Sequence, residues 1–226
     1  MVSVGGRTRL EFRLGALVAV VLVVMGAVLA VVAVVRQPPH QPLVVFVGDS
    51  YTAGSIEDSG YAKRFPALVA DALDVRTQVV AQGGSGYITS GINGKPWSDQ
   101  IEAVPSDADL VVIYGSRNDS FDGSHSSEIQ ASAEALFRSA KQQAPDAKIV
   151  VVGPTYVESP IPPGAVAAAD AVQLAADDQD VEFVDASSWF QDPRPGLIGG
   201  DGVHPTDAGH AFLAHKFERI VRDALG

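Results

Sequence analysis

Short apolar runs alternate with longer amphipathic stretches from Leu43 to the end of the chain. Five runs have the length and composition of β-strands: Leu43–Val47, Val75–Val80, Leu110–Tyr114, Lys148–Val152 and Val181–Val184. Four intervening segments have helical spacing: Gly60–Leu73, Ser126–Gln143, Ala165–Asp178 and Thr206–Leu225. The first, third and fourth runs are almost continuously apolar, which is typical of strands covered on both faces. The alternation predicts a five-stranded parallel sheet inside a three-layer α/β/α sandwich.

Polar, glycine-marked clusters follow four of the predicted elements. They are Gly48–Tyr51, Gln82–Tyr87, Gly115–Asp119 and Asp201–Pro205. In parallel α/β sheets, ligands bind beyond the carboxyl ends of the strands. We therefore expect these four clusters to meet at one edge of the sheet and to carry the chemistry.

The N-terminal region has a different pattern. Leu14–Val35 is a run of 22 uncharged, mostly apolar residues. A helix of this length reaches roughly 33 Å, enough to cross a bilayer core of about 30 Å. Three arginines precede the run and one follows it, so the positive-inside rule keeps the N-terminus in the cytoplasm. This predicts a single-pass anchor in the cell membrane with the main domain outside the cytoplasm.

A cleaved signal peptide is the alternative, with small residues at Ala30 and Ala33 as cleavage sites. The run is longer than a usual signal-peptide core, which favours the uncleaved anchor, and cleavage would make the protein secreted. We expect four regions: a cytoplasmic segment (1–13), a transmembrane anchor (14–35), a Pro-rich linker (36–42) and one main domain (43–226).

Composition and charge exclude several kinds of functional site and partner. The 226 residues include no cysteine, which excludes disulfide scaffolds, Cys-ligated metal and a thiol nucleophile. The net charge is −11, and the segment up to residue 42 carries +3, so the main domain is strongly acidic. An acidic domain repels a phosphate backbone, and we expect no nucleic-acid partner. The oligomeric state stays open.

The clusters contain the groups that acyl transfer requires. Ser50 is a hydroxyl at a strand end, and a nearby base would make it a nucleophile. His204 is the natural base because imidazole exchanges protons near neutral pH. Asp201, three residues earlier, is close enough to orient its ring. Backbone N–H groups of Ser50 and Gly86 and the side-chain amide of Asn118 are the expected oxyanion donors.

These clusters resemble a known family. GDSY at 48–51, GGSGY at 83–87, SRND at 116–119 and DGVHP at 201–205 are similar, in the same order, to the four blocks of the SGNH (GDSL-like) hydrolases. The resemblance implies a flavodoxin-like fold and ester hydrolysis without metal or cofactor. It assigns the nucleophile to Ser50, the base and its partner to His204 and Asp201, and the oxyanion hole to Ser50, Gly86 and Asn118.

The chain departs from the family pattern in places. Tyr51 replaces the usual Leu after the nucleophile, and Ser116 replaces the usual Gly before the third-block Asn. The Asn common near the start of the second block is absent, with Ala81 or Gln82 in its place. If the second block aligns two residues earlier, the oxyanion donor is Gly84 instead of Gly86.

Several residues have more than one interpretation. His210 and His215 are expected to be solvated helix residues rather than metal ligands, and Arg117 is expected to pair with a carboxylate rather than bind an anionic substrate. Tyr51, Tyr87 and Trp97 are candidate contacts for a sugar or acyl group, and the alternative for Trp97 is packing beneath its own loop.

The predicted function is an extracytoplasmic serine esterase acting on small acyl esters, acetyl esters among them. The substrate is a small-molecule or glycan ester. An acyltransferase acting on surface glycans and a non-catalytic glycan-binding module are the alternatives.

Overall fold

Five parallel strands form the centre of the protein. The computed structural model describes residues 21–25, 40–119, 125–191 and 195–226. The strands are β1 (Leu43–Gly48), β2 (Arg76–Ala81), β3 (Leu110–Tyr114), β4 (Lys148–Val152) and β5 (Glu182–Val184). Each lies within one residue of its predicted bounds, because a short β-branched run between polar turns has few alternatives to a strand.

The strand order is β2-β1-β3-β4-β5, and all the pairs are parallel. This is the flavodoxin-like order, in which the chain reverses direction across the sheet between β1 and β3. Gly48 at the end of β1 pairs with Ala81 of β2 and Tyr114 of β3. The loops that follow these three strands therefore start side by side, at the place where such sheets bind ligands.

Six α-helices lie among the described residues from 40 onward. They are α1 (Ser50–Ala53), α2 (Phe65–Leu73), α3 (Trp97–Gln100), α4 (Ser126–Gln143), α5 (Pro163–Asp178) and α6 (Asp207–Leu225). Val45, Val111 and Val151 pack with residues of α4 and α5 on one face of the sheet. Phe46 and Val112, whose side chains point the other way, pack with residues of α2 and α6. The two buried clusters give the predicted three-layer sandwich.

The helices that flank the site differ from the predicted segments at their beginnings. The expected helix over Gly60–Leu73 is a 3₁₀ turn at Tyr61–Lys63 followed by α2, which has Pro66 in its first turn. Thr206 is the N-cap of α6, where its hydroxyl oxygen accepts the N–H of Gly209 at 3.2 Å. This cap fixes the start of α6 at Asp207, three residues after His204.

The N-terminal region is described only in part. Residues 21–25 are helical, and the rest of the predicted anchor (14–35) lies outside the described residues, as does most of the linker. Within the part of the chain that is described, no helix combines the length and apolar character needed to cross a membrane. Gln41–Gly226 form one compact unit.

Candidate active site

Ser50 lies at the sharp turn from β1 into α1. The carboxylate of Asp49 caps α1, because its Oδ1 accepts the N–H of Tyr51 at 2.9 Å. A β-carbon at Gly48 would come within 2.7 Å of the Tyr114 carbonyl oxygen, so only glycine fits where β1 passes β3. The turn leaves Ser50 half-buried at the edge of the sheet.

His204 and Asp201 meet Ser50 from the opposite end of the sequence. Nε2 of His204 lies 2.9 Å from Oγ of Ser50, and Nδ1 of His204 lies 2.5 Å from Oδ2 of Asp201. The other oxygen of Asp201, Oδ1, accepts the backbone N–H groups of Val203 at 2.8 Å and His204 at 2.9 Å. The three predicted residues therefore form one hydrogen-bonded line.

The protonation of this line follows from Asp201. The hydrogen bonds from the His204 ring and from two backbone N–H groups lower the pKa of Asp201 to about 2. An ionised carboxylate only accepts hydrogen bonds, so Nδ1 of His204 carries the ring proton. Nε2 of the neutral ring then has its lone pair free to accept the hydroxyl proton of Ser50. This is the arrangement that a general base requires.

A pocket of about 450 Å³ opens beside this line. Its walls are Asp49, Ser50, Tyr51, Ser55, Ile56, Gly83, Gly84, Arg117, Asn118, Asp201, Val203 and His204. The loops after β1, β2 and β3 and the loop before α6 all contribute. A reacting group placed in this pocket would contact the Ser50 hydroxyl.

The two glycines named as alternative oxyanion donors differ in their surroundings. Gly86 is buried, its N–H donates to the Thr89 carbonyl at 2.9 Å, and it is not among the residues that line the pocket. This geometry favours the alternative donor, Gly84. Gly84, two residues earlier, lines the pocket and has a φ of +75°, a conformation that glycine adopts readily.

Asn118 lies at the pocket as predicted. Its side-chain nitrogen donates to the Ser85 carbonyl at 2.9 Å, which holds the amide in place. An amide nitrogen has two hydrogens, so the second remains for a ligand. Ser50, Gly84 and Asn118 thus all line the same pocket.

Asp119 holds the loop after β2 against the loop after β3. Its buried carboxylate accepts the N–H groups of Tyr87 at 2.8 Å, Ile88 at 3.2 Å and Thr89 at 2.9 Å. It also accepts the hydroxyl of Ser116 at 3.0 Å. These contacts join the two loops beside Gly86. No local pattern in the sequence indicates this role, because it depends on contacts across about 30 residues.

Arg117 pairs with a carboxylate, as expected. Its guanidinium donates to both oxygens of Glu158, at 2.9 and 2.5 Å, and lies 5.7 Å from the centre of the Tyr156 ring. The ion pair lowers the pKa of Glu158 to about 2. Glu158 is the first residue of the Pro-rich segment 158–164. Through its ion pair, this segment holds Arg117 in the wall of the pocket.

The aromatic residues separate into two groups. Tyr51 lines the pocket, and its hydroxyl donates to the Val203 carbonyl at 2.5 Å. Tyr87 and Trp97 are buried against each other with ring centres 4.7 Å apart, and the Trp97 indole N–H donates to Ser85 Oγ at 2.9 Å. Of the two interpretations of Trp97, packing beneath its own loop is the correct one.

His210 is not the solvated helix residue that was predicted. It is fully buried, and its Nδ1 accepts the N–H of Phe65 at 3.4 Å. Burial lowers the pKa of His210 to about 4, so the ring is neutral near pH 7. The helical position alone could not reveal this, because α2 covers that face of α6. His215, by contrast, is exposed as predicted.

Comparison with known proteins assigns the family. The sequence model of the GDSL-like lipase/acylhydrolase family matches residues 46–212. A GDSL lipase of Mycobacterium tuberculosis is 35% identical over 187 residues, which cover 79% of this chain and 80% of that protein. The chain belongs to the GDSL-like lipase/acylhydrolase family. This hydrolase is therefore a serine enzyme that acts on ester bonds.

Solved structures share the hydrolase fold at low sequence identity. A carbohydrate acetylesterase from Sinorhizobium meliloti is 20% identical with a TM-score of 0.64, and the match covers 81% of this chain and 99% of that one. A salicylyl-acyltransferase from a tetracycline biosynthetic pathway is 19% identical with a TM-score of 0.65. That match covers 83% of this hydrolase and 56% of the acyltransferase.

Proposed function

We propose that the protein hydrolyses small acyl esters through a Ser50–His204–Asp201 triad and an acyl-enzyme. The observation that carries this proposal is the unbroken line of hydrogen bonds from Ser50 Oγ through the His204 ring to Asp201, at 2.9 and 2.5 Å. The line borders a pocket that is open to a ligand. A nucleophile, a base and a group that orients the base are the parts that acyl transfer needs.

The reaction proceeds in two halves. Ser50 Oγ attacks the ester carbonyl while Nε2 of His204 takes the hydroxyl proton, and Asp201 stabilises the imidazolium. The tetrahedral intermediate collapses, its alcohol leaves with the proton from His204, and Ser50 stays acylated. Water then attacks the acyl group with His204 as base, and the acid is released as Ser50 regains its proton.

The oxyanion of each tetrahedral intermediate is assigned to the N–H groups of Ser50 and Gly84 and the amide of Asn118. Two of these are backbone groups whose positions are fixed by α1 and by the loop after β2. Donors that are fixed before the reaction need little reorganisation as charge develops, and each contributes roughly 10²–10³ to the rate.

The charges around the pocket favour a neutral substrate over an anionic one. Arg117 is the cation in the pocket wall, and Glu158 pairs with both ends of its guanidinium. Ile56 and Val203 supply an apolar part of the same wall. A short acyl group on a small alcohol or a glycan suits this lining. The fold shared with a carbohydrate acetylesterase makes acetylated glycans the first substrates to test.

The deciding experiment measures turnover of nitrophenyl acetate together with labelling by a fluorophosphonate. We expect Ser50→Ala to reduce both to background while the circular dichroism spectrum stays unchanged. Ser98→Ala, an exposed serine, is the matched control and should keep both. Full turnover by Ser50→Ala would reject the triad. Binding of acetylated glycan by an unlabelled wild-type protein would instead indicate a non-catalytic binding module.

The acceptor is tested separately. Reactions with acetyl donor should release acetate at the same rate with and without a glycan acceptor. Transfer of the acetyl group to the glycan in place of release would identify an acyltransferase, since a sugar hydroxyl then replaces water in the second half-reaction.

We also propose that the hydrolase domain is held outside the cytoplasm by the segment 14–35. The uncharged run of Leu14–Val35 and the arginines before it support this. Intact cells should display the domain to added protease, and deletion of residues 1–35 should leave it inside. The mass of the isolated protein distinguishes an anchor from a cleaved signal. Protection of the domain in intact cells would reject this topology.

A further inference from the structure

The loop that carries the proposed acid–base pair is partly exposed, and two backbone contacts close it at its base. Gly199 donates its N–H to the His204 carbonyl at 2.9 Å, and Ile198 pairs with Pro205 as an isolated antiparallel bridge. Asp201, at the tip, is solvent-exposed. A loop of this kind needs a contact from elsewhere to keep its tip in one position.

Glu57 provides such a contact from the loop after α1. Its Oε2 accepts the N–H of Gly200 at 3.0 Å, and its Oε1 accepts the N–H of Asp201 at 3.3 Å. A β-carbon at position 199 would overlap the Glu57 carboxylate, so a side chain there would displace Glu57 from this position. Hydrogen bonds to a charged acceptor are stronger than those between neutral groups. Two such bonds define both the position and the tilt of the loop tip.

The loop that carries Glu57 is itself well anchored. The N–H of Glu57 donates to Ser55 Oγ at 3.1 Å, and the N–H of Ser55 donates to Asp58 Oδ2 at 2.6 Å. The Asp58 side chain is completely buried and accepts from Arg64 Nε at 2.9 Å. Ser59 adds a bond from its N–H to Asp207 Oδ1 at 2.8 Å, at the start of α6.

We propose that Glu57 is a positioning residue that aligns the Asp201–His204 pair with Ser50. The inference rests on the proposed roles of these three residues. The Glu57 carboxylate contacts backbone N–H groups of the loop and does not reach the reacting atoms. Its loss frees the tip that holds Asp201, and the His204 ring then spends less time in line with Ser50 Oγ. Misplacement of a catalytic group by about 1 Å costs up to roughly 10²-fold in rate.

The test compares Glu57→Ala with Glu57→Gln in the full chain, using nitrophenyl acetate. We expect Glu57→Ala to lower kcat by about 10- to 100-fold with KM within two-fold of wild type. Glu57→Gln keeps one acceptor oxygen and should recover a large part of kcat. Glu128→Ala removes an exposed glutamate from the first turn of α4 and should leave kcat unchanged.

A proton NMR signal reports the alignment directly. The Nδ1 proton of His204, held in the 2.5 Å contact with Asp201, should give a resonance far downfield in the wild type. We expect this resonance to be broadened by exchange in Glu57→Ala and to stay sharp in Glu57→Gln.

The outcomes separate this inference from the proposed function. A wild-type protein that is not labelled at Ser50 by fluorophosphonate would remove the triad and the inference with it. A labelled, active wild type together with wild-type kcat in Glu57→Ala would overturn the inference alone. So would equal losses of kcat and of thermal stability in the alanine and glutamine variants, because Glu57 would then only support the fold.

Discussion

The hydroxyl of Tyr51 donates a 2.5 Å hydrogen bond to the carbonyl of Val203. The bond joins the residue after the proposed nucleophile to the residue before the proposed base. Tyr51 is also the position at which the chain departs from the leucine of the family pattern. The departure therefore adds a polar link between the two loops that must stay together for proton transfer.

Removal of this link should weaken both stability and turnover. We expect Tyr51→Phe to lower the free energy of unfolding by about 1 kcal/mol, since it leaves the Val203 carbonyl without this partner. We expect kcat on nitrophenyl acetate to fall roughly three- to tenfold because the His204 loop is less well held. Tyr156→Phe removes a comparable buried bond to Ala165 and should lower stability alone. Equal kcat in both variants would contradict the link.

The oxyanion assignment predicts specific contacts in a covalent adduct. Ser50 Oγ displaces fluoride from a fluorophosphonate and bonds to its phosphorus. The phosphoryl oxygen of the adduct then takes the place of the oxyanion. In a crystal structure of the adduct this oxygen should lie about 2.7–3.1 Å from the backbone nitrogens of Ser50 and Gly84 and from Asn118 Nδ2. Gly86 should keep its bond to Thr89. A phosphoryl oxygen bound to Gly86 would restore the original prediction.

The assignment of Asn118 as an oxyanion donor also predicts the kinetics of a variant. Asn118→Ala should lower kcat by roughly 10²–10³ with little change in KM, since the amide acts mainly in the transition state. Asn93→Ala, in an exposed loop, serves as the control. A large rise in KM with unchanged kcat would show that Asn118 binds the substrate in its ground state instead.

Asp49 predicts a pH dependence of stability. Burial raises the pKa of its carboxyl from 3.8 to about 7. Between about pH 4 and 7 the unfolded chain has lost this proton while the folded protein retains it. The stability contributed by the buried neutral acid is thus complete below about pH 4 and is lost as the pH rises to about 7. The slope is at most about 1.4 kcal/mol per pH unit.

Asp49→Asn should lack this contribution. We expect the difference in unfolding free energy, wild type minus variant, to decrease from pH 4 to 7 and to level off above pH 7. Urea denaturation at four pH values measures this difference. Because both proteins share every other titrating group, the contributions of those groups cancel in the subtraction. Parallel curves for the two proteins would show that Asp49 does not titrate in this range.

Ile56 predicts an acyl-chain preference. Its side chain lines the pocket and is 95% exposed, so a longer acyl chain would bury it. Ile56→Ser should reduce kcat/KM for an octanoyl ester by about three- to tenfold and leave the acetyl ester unchanged. Ile92→Ser changes an isoleucine that is 84% exposed and not part of the pocket lining, and should have no effect. Identical results for both variants would contradict the assignment.

The sheet could be predicted because its signal is local. Strands such as β1 and β3 are buried on both faces, and few structures other than a strand accommodate five consecutive apolar residues between polar turns. The meeting of Ser50, Asn118 and His204 followed from topology, since loops after neighbouring parallel strands share one edge. The helix α1 could not be predicted in this way, because four residues are too short to show a helical periodicity.

The missed features depend on contacts between distant segments. The N–H groups of residues 87–89 are held by the carboxylate of Asp119 from the next loop, and His210 is buried where α2 packs on α6. Glu57 meets Gly200 across 143 positions, and no spacing within either loop reports that contact. A single sequence therefore indicates the candidate reacting side chains, while the groups that hold them require coordinates.

Ser50 follows the first strand and His204 precedes the last helix, with 154 positions between them. A nascent chain of this enzyme has its proposed nucleophile outside the ribosome long before its proposed base has been synthesised. We therefore expect fragments that end before residue 204 to be inert toward esters, whatever part of the sheet they form. After dilution from urea, recovery of turnover reports when the His204 loop and α6 have joined the rest of the domain. A spectroscopic measure of helix content alone would miss this step.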